Sequence, residues 1–311
     1  IGGHSIKAVK VMMEIEKKIG KQIPLSALFE HSTIEKFAKL LNPDIEIYSD
    51  CLVPIQPNGN KVPIFIIHGA GLNVLNFVHL SSCFDDEQPV YGIQGDRNNG
   101  DNQWYESIED MASHYIEAII RVNPKGPYAL AGFSFGGIVA FEMTRQLNEQ
   151  GKKVSLIALL DTYVDSSYYY QSYMQKLLIR YLDVTQRRID YLKEMFSSWK
   201  GFQLRFNGKK EHILKKYFGF KDVMTEQDAL ALDKYKIANK LVDKIINRYH
   251  LKPQNIEVDL FRAENDGEYK LDPTYLGWKK AALKGVKIHN ISGNHLDIVA
   301  PPNDKKVARL I

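Results

Sequence analysis

Apolar residues recur along this chain at two different spacings, and the change from one to the other divides it. Between residues 5 and 20, Ile6, Val9, Met12, Met13 and Ile19 fall at helical intervals, and the run stops at Gly20. A short apolar piece at 25–29 follows KQIP. Then STIEKFAKLL opens with Ser32 and places Glu35 three residues on, the signature of a capping box, with Ile34, Phe37, Ala38 and Leu41 along one side. Three short helices bury little core of their own, so this segment is expected to dock elsewhere or to belong to a larger unit. It ends at NPDIEIYSD, a polar stretch with a proline that reads as a linker.

From Cys51 onward the spacing becomes that of strands alternating with helices. CLVPIQ and VPIFIIHG stand on either side of the turn signal PNGN, VYGIQ follows, and ESIEDMASHYIEAIIRV is an amphipathic helix with Ser107 as its expected cap. PYALAG, GGIVAFEMTRQLNEQ and SLIALLD continue the alternation, and EVDLFRA and VKIHNIS complete the strands. Short apolar strands separated by helices predict an α/β fold, a parallel sheet covered by helices on both faces. Between Asp161 and about Pro253 the alternation stops, and several helices are expected to interrupt the sheet order. Residues 170–220 hold 11 Lys/Arg against 4 Asp/Glu, so this insertion is the basic part of a chain whose net charge is only +4. A solvated helical face explains such a surplus; a lid whose basic surface meets an anionic partner is the functional alternative.

Composition narrows the class further. A chain of 311 residues with 44% hydrophobic content has room for one large core or one core and a small module. It carries neither an apolar run of membrane-spanning length nor a signal-peptide pattern, which predicts a soluble, cytoplasmic protein. Two cysteines, Cys51 and Cys83, are too few for a disulfide framework or a metal cluster, and no metal or nucleotide is expected. The net charge is too small to argue for nucleic acid.

The chemistry is concentrated in LAGFSFGG. Gly132-Phe133-Ser134-Phe135-Gly136 is a G-x-S-x-G between an expected strand and an expected helix, the context that makes this motif a nucleophile elbow. Small flanking residues allow a turn tight enough to present Ser134 Oγ, and the Phe135 N–H at the helix start is placed for a developing oxyanion. A serine needs a base, and the base needs an orienting acid, here in the chain order Ser, Asp or Glu, His. His295, in GNHLDIVAPP after the last strand, is the expected base; His212 and His250 lie in the insertion and His289 within a strand. Asp161, ending SLIALLD, is the preferred acid, and Asp266, ending the next strand, is its rival. FIIHGAGLNVLNF supplies a glycine-rich loop after an earlier strand, with the Ala70 N–H as second oxyanion donor. Removing one such donor costs about 3 to 4 kcal/mol of transition-state stabilisation. His68, before Ser134 at a strand end, is expected to be structural.

These motifs resemble a known family. IIHGAG, GIQG, YALAGFSFGGIVAFEMTRQL, LLDTY, LFRAEND, LGWKKA and GNHLDIVAPP, in that order, make the region 51–311 similar to the thioesterase domain that ends non-ribosomal peptide synthetase and hybrid polyketide synthase assembly lines. The resemblance implies an α/β-hydrolase fold with a helical lid at about 163–253, Asp161 as the acid, and Ser134 and His295 as its partners. It departs at Leu72, where the family usually has a second glycine. IGGHSIKAV and IPLSALFEHSTIEKFAKLL resemble the later part of a peptidyl carrier domain, so 1–42 is expected to be a partial all-α carrier bundle lacking its first helix, with 43–50 as linker. The carrier resemblance implies that Ser5 bears 4′-phosphopantetheine as cofactor, placed there by a phosphopantetheinyl transferase. A phosphodiester at a helix N-terminus suits that position.

The expected function is therefore a chain-terminating thioesterase. A peptidyl or acyl chain, built by upstream modules of the same synthetase and held as a carrier thioester, would pass to Ser134 and leave by hydrolysis or macrocyclisation. The lid's basic surface, including Lys209 and Lys210, would meet the arm's phosphate or an acidic carrier face. Two other classes share parts of this pattern: a stand-alone carboxylesterase or lipase-like hydrolase, and a non-catalytic carrier-binding module. The first gives no reason for the GGHS segment, and the second none for Ser134, Asp161 and His295 together.

Overall fold

The computed structural model describes residues 11–12, 14–15, 18–19, 27, 33–42, 51–95, 105–170, 172, 174–182, 184–185, 189, 226–264 and 272–311, with backbone only for 226–236. Ser5, Asp266, Lys209, Lys210 and His212 lie outside the described residues.

The described part of the N-terminal segment is helical at 11–12, 14–15 and 18–19 and again in α1 (Ile34–Lys39). The cap of α1 is Thr33, whose side chain accepts a hydrogen bond from the Lys36 N–H at 3.2 Å, one residue later than the Ser32 the sequence suggests. Ile34, expected on the apolar side, is 87% exposed, whereas Leu40 is buried. A six-residue helix is shorter than two turns, so its apolar positions cannot build the continuous stripe that a longer helix would.

The remainder is built on a seven-stranded sheet. Its strands are β1 (Leu52–Gln56), β2 (Ile64–Ile67), β3 (Val90–Ile93), β4 (Tyr128–Phe133), β5 (Val154–Leu160), β6 (Glu257–Ala263) and β7 (Gly285–Ile291), in the spatial order β1-β3-β2-β4-β5-β6-β7. All neighbours are parallel except β1, which runs antiparallel to β3. The expectation of a parallel sheet is thus corrected to a mixed one. Although β1 and β2 flank the PNGN turn, they are not neighbours. Pro54 has no N–H to give to a ladder, and β1 is at the edge, where a proline is tolerated.

Alternation along the strands sorts the core into two layers. Phe65 and Ile67 of β2 face one layer with α3 (Ile108–Val122) and α4 (Phe135–Glu149); Ile64 and Ile66 face the other, with α2 (Phe77–Ser81) and a C-terminal helix, Asn303–Leu310. Ser107 caps α3 as the sequence suggests, accepting from the Asp110 N–H at 3.0 Å.

The connection from β5 to β6 holds the expected insertion. Its described helical parts include a 3-10 turn (Ser166–Tyr169), 174–182, 184–185, 189 and α5 (Glu226–Arg248), and polar contacts tie 174–182 to the end of α5. The Lys176 ammonium donates to the Asn247 and Tyr249 carbonyls at 3.1 and 2.5 Å, where α5 ends and carbonyls lack helical partners. Burial pushes this lysine below its ordinary pKa range. Tyr249 in turn donates its hydroxyl to Glu142 of α4 at 3.0 Å, and Arg145 pairs with Glu142 at 2.6 Å. The insertion is therefore anchored to the middle of α4, about two turns from Ser134 at its N-terminus.

Candidate active site

Ser134 stands between the last residue of β4 and the first of α4, with φ 55° and ψ −119°. A positive φ is costly for a residue with a Cβ, and the surrounding glycines explain how the turn is held. A Cβ on Gly132 would lie 2.3 Å from the Gly136 carbonyl oxygen, one on Gly136 would lie 2.2 Å from the His68 carbonyl oxygen, and one on Gly137 would lie 2.0 Å from Thr162 Oγ1. Three glycines are thus required by three different walls. The Ser134 N–H is tied to the Leu160 carbonyl at 2.9 Å, fixing the elbow to the end of β5.

Asp161 follows β5 directly. Its N–H donates to the Phe261 carbonyl at 2.7 Å, and its own φ is 48°. The side chain is fully buried. Oδ1 accepts the Ala263 N–H at 3.1 Å, and Oδ2 lies 2.6 Å from His295 Nδ1. Of the two acids left open by the sequence, Asp161 therefore reaches the imidazole, and Asp266 lies outside the described residues.

His295 opens a short 3-10 helix, His295–Val299, after β7. Asn294 caps that helix and Asp297 closes a capping box on it. Asn303 donates to the Ser292 and Asp297 carbonyls at 2.7 and 3.1 Å, pinning both ends of the loop. The His295 side chain remains 34% exposed, so one edge of the ring faces the open side of the sheet. With Nδ1 bound to a carboxylate, Nε2 is the nitrogen left to take a proton. Among the described residues no hydrogen bond joins Ser134 Oγ to His295; such contacts commonly tighten only when substrate arrives.

The expected oxyanion groups meet at the same edge. The Phe135 N–H belongs to the first turn of α4, ahead of the helix's own bonding ladder. Ala70 sits in the turn closed by the Leu72 N–H on the Gly69 carbonyl at 3.0 Å. The close approach of Gly136 to the His68 carbonyl holds that loop against the start of α4. His68 itself is buried, 2.7 Å from both the Gly69 carbonyl and the Tyr115 hydroxyl, in keeping with a structural role. Leu72, at the family's usual glycine position, has φ 57°.

Four further groups support the site beyond those the sequence singles out: the Ala263 N–H, Thr162 against Gly137, Asn303 under the histidine loop, and Phe133, whose ring lies against His295. Only Phe133 left a signal, as an aromatic residue next to the serine.

A doubly covered α/β sheet with an elbow serine, a buried aspartate and a loop histidine at its carboxyl edge defines the α/β-hydrolase class. The model of the family described as thioesterase domain matches residues 62–311, and the chain belongs to that family. The model described as phosphopantetheine attachment site matches residues 1–41, so the chain is a carrier–thioesterase fusion with a site for 4′-phosphopantetheine. It is similar to malpibaldin synthetase of Mortierella alpina, 28% identical over 320 residues that cover 100% of this chain and 5% of that protein. The dimodular nonribosomal peptide synthase of Bacillus subtilis (strain 168) is 36% identical over 164 residues, 52% of this chain and 7% of that protein. The chain thus spans a small fraction of these relatives' length. Among solved structures, a four-domain nonribosomal peptide synthetase, holo-AB3403 bound to AMP and glycine, covers 99% of this chain over 23% of its own, with TM-score 0.63 and 22% identity. The NocB thioesterase domain with a fluorophosphonate nocardicin G analog covers 84% of this chain and 97% of its own, with TM-score 0.55 and 18% identity. These two share the fold. No helix among the described residues is long and apolar enough to cross a membrane.

Proposed function

We propose that this chain releases the finished product of a non-ribosomal peptide assembly line, with Ser134 as nucleophile, His295 as general base and Asp161 as its orienting acid. The observation that carries this reading is the 2.6 Å contact from Asp161 Oδ2 to His295 Nδ1 beside a strained serine elbow. Residues 1–42 serve as the carrier segment, 43–50 as linker and 51–311 as the thioesterase, with its lid at about 163–253. A phosphopantetheinyl transferase modifies Ser5, and the arm, when attached, supplies the thiol that holds the acyl group. Upstream modules of the synthetase build that group, in the cytoplasm.

In the first half-reaction Ser134 Oγ attacks the thioester carbonyl as its proton moves to His295 Nε2. The carbonyl oxygen becomes an oxyanion opposite the Ala70 and Phe135 N–H groups. Asp161, buried and already bonded to Nδ1, stabilises the imidazolium without taking its proton. Collapse breaks the C–S bond, His295 returns the proton to the leaving thiolate, and an ester on Ser134 remains. Water, or an amine or hydroxyl of the acyl chain, then repeats the sequence in reverse roles. Exclusion of water by the insertion favours the intramolecular attacker.

Intact-mass spectrometry of wild type and Ser134→Ala, mixed with a panel of acyl and peptidyl N-acetylcysteamine thioesters, tests this. An acyl adduct on wild type alone is expected, followed by free acid or ring. Turnover by Ser134→Ala would refute the covalent route.

A further inference from the structure

We infer that Phe133 is a positioning residue for the base: its ring is the plate against which the His295 imidazole is held and its transient positive charge stabilised. This inference rests on the assignment of His295 as general base.

The geometry begins with strand alternation. Ala129, Ala131 and Phe133 of β4 point into the same layer, which also contains Phe77, Ile298 and Val299. Two alanines followed by a phenylalanine leave space near the start of the strand and fill it at the carboxyl end, directly before Ser134. The residue that delivers the nucleophile's backbone therefore also reaches the histidine loop. The Phe133 and His295 ring centroids are 4.8 Å apart with planes at 24°, a near-parallel stack. Phe133 is buried, and it cannot swing away. Phe77 meets it edge-on at 6.4 Å and 82°. On another side, a Cβ on Gly69 would already be 3.0 Å from Phe133 Cδ1, so the oxyanion loop itself abuts the ring.

Two consequences follow from chemistry. Asp161 fixes one in-plane nitrogen of His295 but leaves the ring free to tilt about that hydrogen bond. A flat neighbour removes the tilt and keeps Nε2 aimed along the edge where Ser134 lies. Second, the imidazole is neutral before attack and cationic in the tetrahedral transition state. The negative face of a phenyl ring attracts a cation more than a neutral ring, so the stack is stronger in the transition state than in the ground state. Any flat ring would supply the first effect; the second requires an electron-rich one.

The test measures the rate at which a fluorophosphonate labels Ser134 in the intact chain, read by intact mass. In that reaction the Oγ–P bond forms, fluoride leaves, and the serine proton passes to His295. Replacing Phe133 by pentafluorophenylalanine keeps the ring's shape and reverses the charge of its face. We expect labelling to slow by about 3- to 10-fold, with the melting temperature unchanged. Phe133→Leu should slow it at least as much, and Phe133→Tyr should recover most of that loss. The low-field proton resonance of the His295–Asp161 hydrogen bond should broaden in the leucine variant and persist in the tyrosine variant.

Wild-type labelling by the pentafluorinated protein would overturn the charge argument, and wild-type labelling by Phe133→Leu would overturn the positioning role altogether. If the fluorinated protein does not fold, the leucine and tyrosine pair decides: equal loss in both sinks the inference. His295→Ala separates the underlying assignment. If that variant labels at the wild-type rate, His295 is not the base, whatever Phe133 does.

Discussion

On and beside the sheet, the described residues include two histidine–aspartate–phenylalanine groups of nearly the same geometry. In one, His295 Nδ1 lies 2.6 Å from Asp161 and its ring stacks on Phe133 at 4.8 Å and 24°. In the other, His289 Nε2 lies 2.7 Å from Asp259 and its ring stacks on Phe261 at 4.6 Å and 26°. A search for paired residue types would return both. They differ in what surrounds the pair. Asp161 is fully buried and accepts a backbone N–H, whereas the Asp259 side chain is 20% exposed and shares its Oδ1 with Lys287 at 3.5 Å. His295 is on a loop beyond the strand ends; His289 is inside β7, in register with Phe261 across the ladder. The first group has a strained serine on the neighbouring strand end, and the second has only sheet. A dyad's geometry is thus cheap, and its position along the strands decides whether it meets a reactive atom.

The largest effect that would separate the two groups is on rate. Asp161→Asn keeps the shape of the acid but favours the wrong imidazole tautomer, and a loss of about 10⁴-fold in kcat is expected by analogy with buried triad acids. Asp259→Asn should change kcat on the same acyl thioester by less than about 2-fold, since the pair lies within the strands and touches no reacting group. Equal losses in the two variants would mean that the second pair contributes to the chemistry as well.

The next effect is on stability. Phe261 is fully buried, and Phe261→Ala should lower the unfolding free energy by about 3 to 5 kcal/mol, measured by urea denaturation. The folded fraction of that variant should still label with fluorophosphonate at close to the wild-type rate. Slowed labelling would show that the His289 stack is transmitted to the site, for instance through the Phe261 carbonyl that holds the Asp161 N–H.

Much of this contrast was legible in the sequence, for a physical reason. An elbow serine needs glycines at fixed offsets, its helix and strand have opposite periodicities, and the order Ser, Asp, His follows from the order of strands. Ser134 and His295 are therefore candidates on local pattern, whereas the preference for Asp161 over Asp266 draws also on the family resemblance. The Phe133 stack could not be read in this way, because it depends on where a loop 162 residues further along settles, and the second position of G-x-S-x-G carries no conformational demand of its own. The antiparallel edge strand was hidden for a similar reason. Parallel and antiparallel strands share a period of two, and only Pro54 hinted at an edge. The cap of α1 moved from Ser32 to Thr33 because two adjacent hydroxyl residues offer nearly equivalent caps.

Strain gives a third contrast between the two groups. Asp259 and His289 lie in regular strands, while Leu72, Ser134 and Asp161 all have positive φ around the first group. Leu72 is the informative one to change. Its left-handed backbone costs about 1 to 2 kcal/mol, and its buried side chain, packed where a Cβ on Gly95 would be 2.9 Å away, offsets that cost. Leu72→Ala loses the packing and keeps the strain; Leu72→Gly loses the packing and the strain together. Glycine should therefore be the less damaging replacement by about 1 kcal/mol, the reverse of the usual order in ordered segments. Alanine proving the better tolerated would mean that the loop relaxes on truncation and that φ at 72 is not a source of strain.

The smallest expected effect concerns a carboxylate that lacks the imidazole partner Asp161 has. Glu109, in the first turn of α3, is half-buried, and burial pushes its carboxyl above the ordinary range, with Glu142 adding to the rise. Asp161 receives a backbone N–H and an imidazole; Glu109 receives its own backbone N–H at a helix start that favours negative charge, and this does not outweigh burial. The sign follows from linkage. A carboxyl whose folded pKa exceeds its unfolded one binds protons more readily in the native state, so its ionisation costs stability at neutral pH and that cost disappears as pH falls through the folded pKa. Glu109→Gln should raise the unfolding free energy at pH 7 by less than about 1 kcal/mol, because half-exposure screens the charge. The gain should shrink toward zero as pH drops below the normal carboxylate range, seen as converging urea midpoints of variant and wild type. A gain that stayed constant with pH would assign it to packing of the amide, and a loss at pH 7 would mean that attraction from Lys176 and Arg145 outweighs burial at this carboxylate.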